Sequence, residues 1–275
     1  MLLQDVQSPG SAALQGLGSG QPLPAARVAS SFDDLRPAEA QRVESGAWFS
    51  SLSLTLRQAV LSRSRVHRVR RGATLLKRGS VATDWIGLAG GALGLATQGR
   101  DGRGFTLDLL APGDWYGDIA LVDGGAVDLD IVAQTHSTVL LVDRPALQQL
   151  IHSQPELRAA LLQLDCRRLR HMFRRLEELQ TLALSQRVAL QLQRLLRQFG
   201  RPGDTPSAGW QIDLTLTQGD LASLLGASRQ RINGVLRQLQ AEGILGSSHG
   251  RIEVLQPKQL VDVAQGRRLL DTAGV

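Results

Sequence analysis

Four textures of apolar and polar positions follow one another along the chain. Residues 1 to 30 are rich in Gly, Ser, Pro, Ala and Gln, carry almost no charge, and predict a disordered tail. From Phe32 to Arg65 the pattern is amphipathic, which predicts short helices that bury Trp48, Phe49, Leu52, Leu56 and Val60. Between Val66 and Asp143 it changes to short alternating runs such as V-H-R-V, W-I-G-L, F-T-L-D-L-L and S-T-V-L-L-V. Glycines 72, 79, 90, 91, 94, 102, 104, 113 and 117 punctuate them, and many short strands joined by glycine turns predict a β-roll or sandwich. From about Pro155 the period lengthens again. Leu162, Asp165, Leu169, Met172, Leu176 and Leu179 alternate spacings of three and four, a heptad seam with one polar break, flanked by Arg167, Arg168, Arg170, Arg174 and Arg175. This predicts a long helix that dimerises.

The C-terminal part carries the sharpest signal. Ser185 to Phe199 predicts an amphipathic helix, and Arg201 to Gly209 a loop. Leu216 to Gly243 then predicts two short helices around a glycine turn. Thr217 and Asp220 have capping-box spacing, and Leu221, Leu224 and Leu225 form a buried face. Gly226 suits a positive-φ turn, and Ser228 restarts the chain as an N-cap. In the second helix Ile232, Val235, Leu236 and Leu239 face inward, leaving Arg229, Gln230, Asn233, Gly234 and Arg237 outside. Arg can bond guanine O6 and N7, and Gln or Asn can bond adenine N6 and N7, so this outer face suits a DNA major groove. Ile244 to Leu255 predicts a hairpin turning at His249-Gly250, the wing of a winged helix-turn-helix.

Charge points to the same partner. Lys and Arg balance Asp and Glu at 14 each through residue 150, but number 17 against 11 beyond it, so the whole net charge of +6 lies in the helix-turn-helix half. Cys166 is the single cysteine, which excludes an internal disulfide and a cysteine-rich metal site. No run approaches the roughly twenty apolar residues of a membrane span, and no export signal opens the chain, so the expected location is cytoplasmic, with no membrane partner. There is no Gly-Lys-Ser phosphate loop, no G-x-S-x-G elbow and no H-E-x-x-H, so an enzyme is not expected. Asp114, Asp118, Asp123, Asp128 and Asp130 are read as turn residues rather than as a metal site.

R-R-G-A-T-L-L-K-R-G (70–79), G-G-A-L-G-L (90–95), D-G-R-G-F-T-L-D-L-L-A-P-G-D-W-Y-G-D (101–118) and the segment from Leu216 to Leu239 together resemble the Crp/Fnr family of bacterial transcription regulators, over about residues 40 to 260. The resemblance implies an α+β chain: an N-terminal β-roll like the cyclic-nucleotide-binding jelly roll, a long dimerisation helix and a C-terminal winged helix-turn-helix. The expected division is a tail at 1–30, a β-roll sensor with N-terminal helices at 31–150, the dimer helix at 151–183 and the DNA-binding domain at 184–275. It also implies a homodimer on a two-fold symmetric site, recognition helices about 34 Å apart, and RNA polymerase as a further partner. Arg229, Gln230 and Asn233 would read bases. Thr217, Ser228, Arg231, Arg237 and Arg251 would meet phosphate or shape the motif.

Members that bind cyclic AMP hold its phosphate with a cassette in which a Glu follows a Gly and an Arg-Ser pair comes later. Here Gly117 is followed by Asp118, and Val127 and Asp128 stand where Arg and Ser would be. The loop from Tyr116 to Ala133 has no Arg or Lys, and a buried phosphodiester needs a cation or converging donors, so cyclic AMP is not the expected effector. Haem, with His67, His136, His152 or His171 as ligand, and a cyclic dinucleotide stay open, as does no effector at all. Many relatives carry a second Arg where this chain has Gly234. A glycine inside a helix costs about 1 kcal/mol relative to Ala, which suggests that the bare position serves close approach to DNA.

Overall fold

The computed structural model describes residues 31–98, 104–203, 209–248 and 250–270. The predicted tail and His249 lie outside the described residues. Two short helices, α1 (Pro37–Glu44) and α2 (Leu54–Leu61), precede eight strands: β1 (Arg65–Val69), β2 (Thr74–Leu76), β3 (Asp84–Gly90), β4 (Leu93–Gln98), β5 (Gly104–Leu110), β6 (Trp115–Tyr116), β7 (Asp130–Ala133) and β8 (Ser137–Asp143). Helix α3 (Asp118–Asp123) interrupts them after β6. The strands form two antiparallel sheets, ordered β1-β8-β3-β6 and β2-β7-β4-β5. Side chains from both sheets meet in one core, the geometry of a roll whose inner faces cover each other.

The predicted N-terminal anchors are all in that core: Trp48, Phe49, Leu52, Leu56 and Val60 are buried. Phe49 stacks on Trp115 at 5.4 Å, Trp115 lies 4.3 Å from Trp85, and Trp48 meets Trp85 edge-on at 5.7 Å. Gly87 makes this cluster possible, because a Cβ there would come within 2.9 Å of the Trp115 ring.

Helix α4 (Arg144–Ser153) starts on the Asp143 cap, whose carboxylate accepts from the Ala146 N–H at 2.9 Å. Pro155 then opens the long helix α5 (Pro155–Thr181), tied to the roll by a 3.0 Å bond from the Trp48 indole N–H to the Ala160 carbonyl. Helix α6 (Leu184–Phe199) leads into strands β9 (Gly200–Pro202) and β10 (Trp210–Ile212). The predicted loop therefore begins as a strand. β9 is the edge of a sheet ordered β11-β12-β10-β9, where the missing N–H of Pro202 is tolerated. Helices α7 (Gln218–Leu225) and α8 (Arg229–Ala241) follow, then the hairpin β11 (Leu245–Ser248) and β12 (Arg251–Val254), and α9 (Pro257–Ala264).

The core beneath α7 and α8 is built from α6, α8, α9 and the hairpin, and it takes in Ala92 and Leu109 from the roll. The two halves therefore share buried apolar surface.

Candidate nucleic-acid interface and effector cassette

Helix α7 begins as predicted. The Thr217 hydroxyl accepts from the Asp220 N–H at 3.1 Å, and the Asp220 carboxylate accepts from the Thr217 N–H at 2.7 Å. It ends at Gly226, whose φ of 58° reverses the chain with no Cβ to clash. Arg187 and Arg175 donate to the Leu225 and Leu224 carbonyls at 3.0 and 3.3 Å, so two cations close the negative end of α7. Ser228 accepts from the Arg231 N–H at 3.3 Å and starts α8. Ile232, Leu236 and Leu239 are buried and Val235 packs beside them.

On the opposite side Arg229, Gln230, Arg231 and Arg237 are exposed, and among the described residues their side chains make no hydrogen bond or ion pair. Asn233 differs. Its side-chain oxygen accepts from the Gln218 amide at 2.9 Å and it is half-buried, so one of the two atoms needed for bidentate adenine reading is spent on α7. Gln218 was not legible as a partner, because i,i+15 contacts leave no periodic trace. Arg251, in β12, pairs with Asp213 at 3.0 Å and would have to share that bond with a phosphate. A Cβ at Gly234 would meet nothing within 4 Å, so packing does not demand glycine there.

At the roll, the predicted cassette residues separate. Gly117 takes φ 100° and releases the chain into α3, which places Asp118 at the first helical position. Asp118 is fully buried, Val127 is in the core, and Asp128 is exposed. The loop itself holds no cation, but α5 supplies one. Arg168 Nη1 lies 3.0 and 2.8 Å from the two Asp118 carboxylate oxygens and 2.8 Å from Asp165. Its Nη2 bonds the Trp115 carbonyl, and its guanidinium carbon sits 4.9 Å over the Tyr116 ring. Burial pushes the Asp118 carboxyl above the usual range, and Arg168 works against that shift. Burial also works to lower the Arg168 pKa, but Asp118 and Asp165 outweigh it and hold the guanidinium more firmly charged.

The residues of the predicted seam differ in exposure: Leu162, Leu169, Leu176 and Leu179 are exposed, Asp165 pairs with Arg168 of its own helix, and Met172 is half-buried. Phe173, 61% exposed, and Cys166 complete the outer row with Leu162, Leu169 and Leu176. The opposite side of α5 carries Arg168, His171 and Arg175, which reach Asp118, Asp108 at 3.4 Å and the end of α7. The remaining acids serve turns: Asp114 accepts from Ala111, Asp123 from Gly125 and Asp130 from Arg78. His67, His136, His152 and His171 lie on β1, the β7–β8 turn, α4 and α5. His152 Nδ1 is 2.7 Å from the Gln148 carbonyl of its own helix.

Two family models match the chain: a cyclic nucleotide-binding domain over residues 66–154 and a Crp-like helix-turn-helix domain over 186–263. The chain is 30% identical over 174 residues to a CRP-like cAMP-activated global transcriptional regulator of Mycobacterium tuberculosis, covering 63% of this chain and 76% of that protein. It is 29% identical over 196 residues to the cyclic AMP receptor protein of Thermus thermophilus, covering 71% and 86%. A solved CRP-family transcriptional regulator from Thermus thermophilus superposes with a TM-score of 0.62 at 25% identity, over 75% of this chain and all of that one. Identity at this level, across three quarters of a relative with both modules in the same order, places this chain in the Crp/Fnr family of DNA-binding transcription regulators.

Proposed function

We propose that this regulator acts as a homodimer in the cytoplasm, reads a two-fold symmetric operator through α8, contacts RNA polymerase and catalyses no reaction. Arg229 and Gln230 are the base readers, and Arg231 and Arg237 bind phosphate. Asn233 contributes what its bond to Gln218 leaves free, and Thr217 and Ser228 act as caps. The carrying observation is that the four polar side chains on the outer face of α8 are exposed and unpaired. Unspent donors at a helix N-terminus are what base edges and phosphates require. The exposed apolar row of α5 supports pairing with a second copy, which would set the spacing of two such helices. Residues 31–150 then act as sensor, 151–183 as dimer helix and 184–275 as DNA-binding domain. Among the described residues no helix is long and apolar enough to cross a membrane.

The relatives are named for cyclic AMP, and we do not extend that effector to this chain. Asp118, at the cassette position that follows Gly117, already has a cation. A nucleotide phosphate brought here would meet a buried like charge and would have to draw Arg168 away from Asp118, leaving a buried acid without its partner. Arg168 instead links the roll to α5, and Arg175 links the same face of α5 to α7, so movement of the roll reaches α7 through one rigid element and α8 through its packing on α7. Capture of sheared genomic DNA by the purified chain at physiological salt, followed by sequencing, tests the reading. Recovery of a two-fold symmetric motif is expected. Uniform retention of all sequences would overturn base reading by α8.

A further inference from the structure

Away from the cassette, α1 packs against β3 and, with the start of β2's turn and the β3–β4 and β7–β8 turns, encloses a cleft of about 490 Å³. Arg36 caps α1, Arg42 sits in its last turn, and Arg68 and Arg70 come from the end of β1, so four guanidiniums line one concavity. Its only acid is Glu39. That carboxylate is turned inward, accepting from the Arg36 N–H at 3.0 Å and the Thr138 hydroxyl at 2.8 Å. Burial works to raise the Glu39 pKa, but those two donors and Arg68, 3.7 Å away, hold it below the usual carboxylate range. Glu39 thus faces both Arg68 and Arg36, one negative charge against two positive ones, whereas Arg42 and Arg70 have no acidic partner among the described residues.

We propose that this cleft binds a compact, multiply charged phosphate compound, such as a diphosphate or a phosphorylated sugar. Four arginines against one carboxylate leave the cleft with a positive excess, and a guanidinium can bond phosphate oxygens bidentately. The cleft offers little apolar surface: its one large apolar side chain, Val69, is 7% exposed, and its only ring is the exposed His136 imidazole. With so little apolar surface, charge dominates the lining, which favours a ligand held by its phosphates over one held by burial of a large ring. The ligand would bridge α1 to the β1–β2 edge and stabilise the folded chain by mass action.

Pyrophosphate is the probe. Thermal unfolding of the full chain should shift upward and saturate, with a dissociation constant below about 1 mM, while sodium chloride at equal ionic strength should not reproduce the shift. Arg42→Gln combined with Arg70→Gln should abolish it. These side chains are exposed, so the variant should melt near the parent without ligand. Arg229→Ala should keep the shift, which separates this site from α8. No saturable shift, or a shift that survives the double substitution, would overturn the proposal. So would a double variant that leaves pyrophosphate binding intact but loses affinity only for DNA extended beyond the operator, since the cleft would then serve DNA flanks.

Discussion

On α8, Arg229, Gln230, Arg231 and Arg237 stand exposed and unpaired, whereas at the roll Asp118, Asp165, Arg168 and the Trp115 carbonyl are spent on one another. Both places concentrate charge at the start of a helix. The difference is where the counter-charge comes from. An open site keeps its donors in water, ready to exchange for a partner at modest desolvation cost. A closed one has already exchanged them inside the protein, and opening it leaves a buried charge. Having a nucleotide-binding fold therefore does not give this chain a free nucleotide cassette.

The largest expected effect comes from opening the closed side. Arg168→Ala leaves Asp118 buried without its cation and should cost about 3–5 kcal/mol in denaturant unfolding. The pH dependence has a definite sign. Because burial already raises the Asp118 carboxyl above its unfolded value, its contribution is most favourable at low pH and is lost as pH rises through the folded value. The variant should thus lose more stability at pH 8 than at pH 5, and adding Asp118→Asn should remove most of that difference. Equal losses at both pH values would show that Arg168 acts by packing alone.

Next in size is the outer face of α5. Phe173→Asp puts a charge into the apolar row and should cost about 2–4 kcal/mol of dimer affinity, seen as a monomer by analytical ultracentrifugation at micromolar concentration. Met172→Ala, on the half-buried side, should leave the dimer intact. On the open side, Arg229→Ala should lose about 1–3 kcal/mol on the preferred operator and relax selectivity at one base pair. A uniform loss over all sequences would make it a phosphate contact. Gly234→Ala should be the mildest change. It should stabilise α8 by up to about 1 kcal/mol, because the added methyl meets nothing, and a fall in DNA affinity with that gain would mark close approach of the DNA backbone.

The sequence made the local devices legible: the Thr217–Asp220 box, the Gly226 reversal, the Ser228 cap and the buried faces of α7 and α8 are all set by neighbours within four residues. The aromatic anchors of the roll were visible for the same reason. Helix α3 was not, since Asp118–Asp123 is short and Gly113 and Gly117 just before it read as turns. Strand β9 was hidden by Pro202, and α4 by the texture change at the end of the roll. At the site, the heptad reading chose Asp165 and Met172 over Cys166 and Phe173. Both rows alternate threes and fours, and the exposure of Cys166 and Phe173 beside the half-burial of Asp165 and Met172 distinguishes them only in the folded chain. The two bonds that define the cassette and restrict Asn233 join residues 50 and 15 positions apart. No periodicity records such pairs.

The most direct test of an open reading head beside a closed cassette is fluorescence anisotropy of the purified, ligand-free protein on its recovered operator at physiological salt, with and without cyclic AMP. Binding at about 10 nM or tighter, unchanged by the nucleotide, is the predicted result. Operator binding that appears only when cyclic AMP is added would contradict it, and would mean that Arg168 gives way to the ligand.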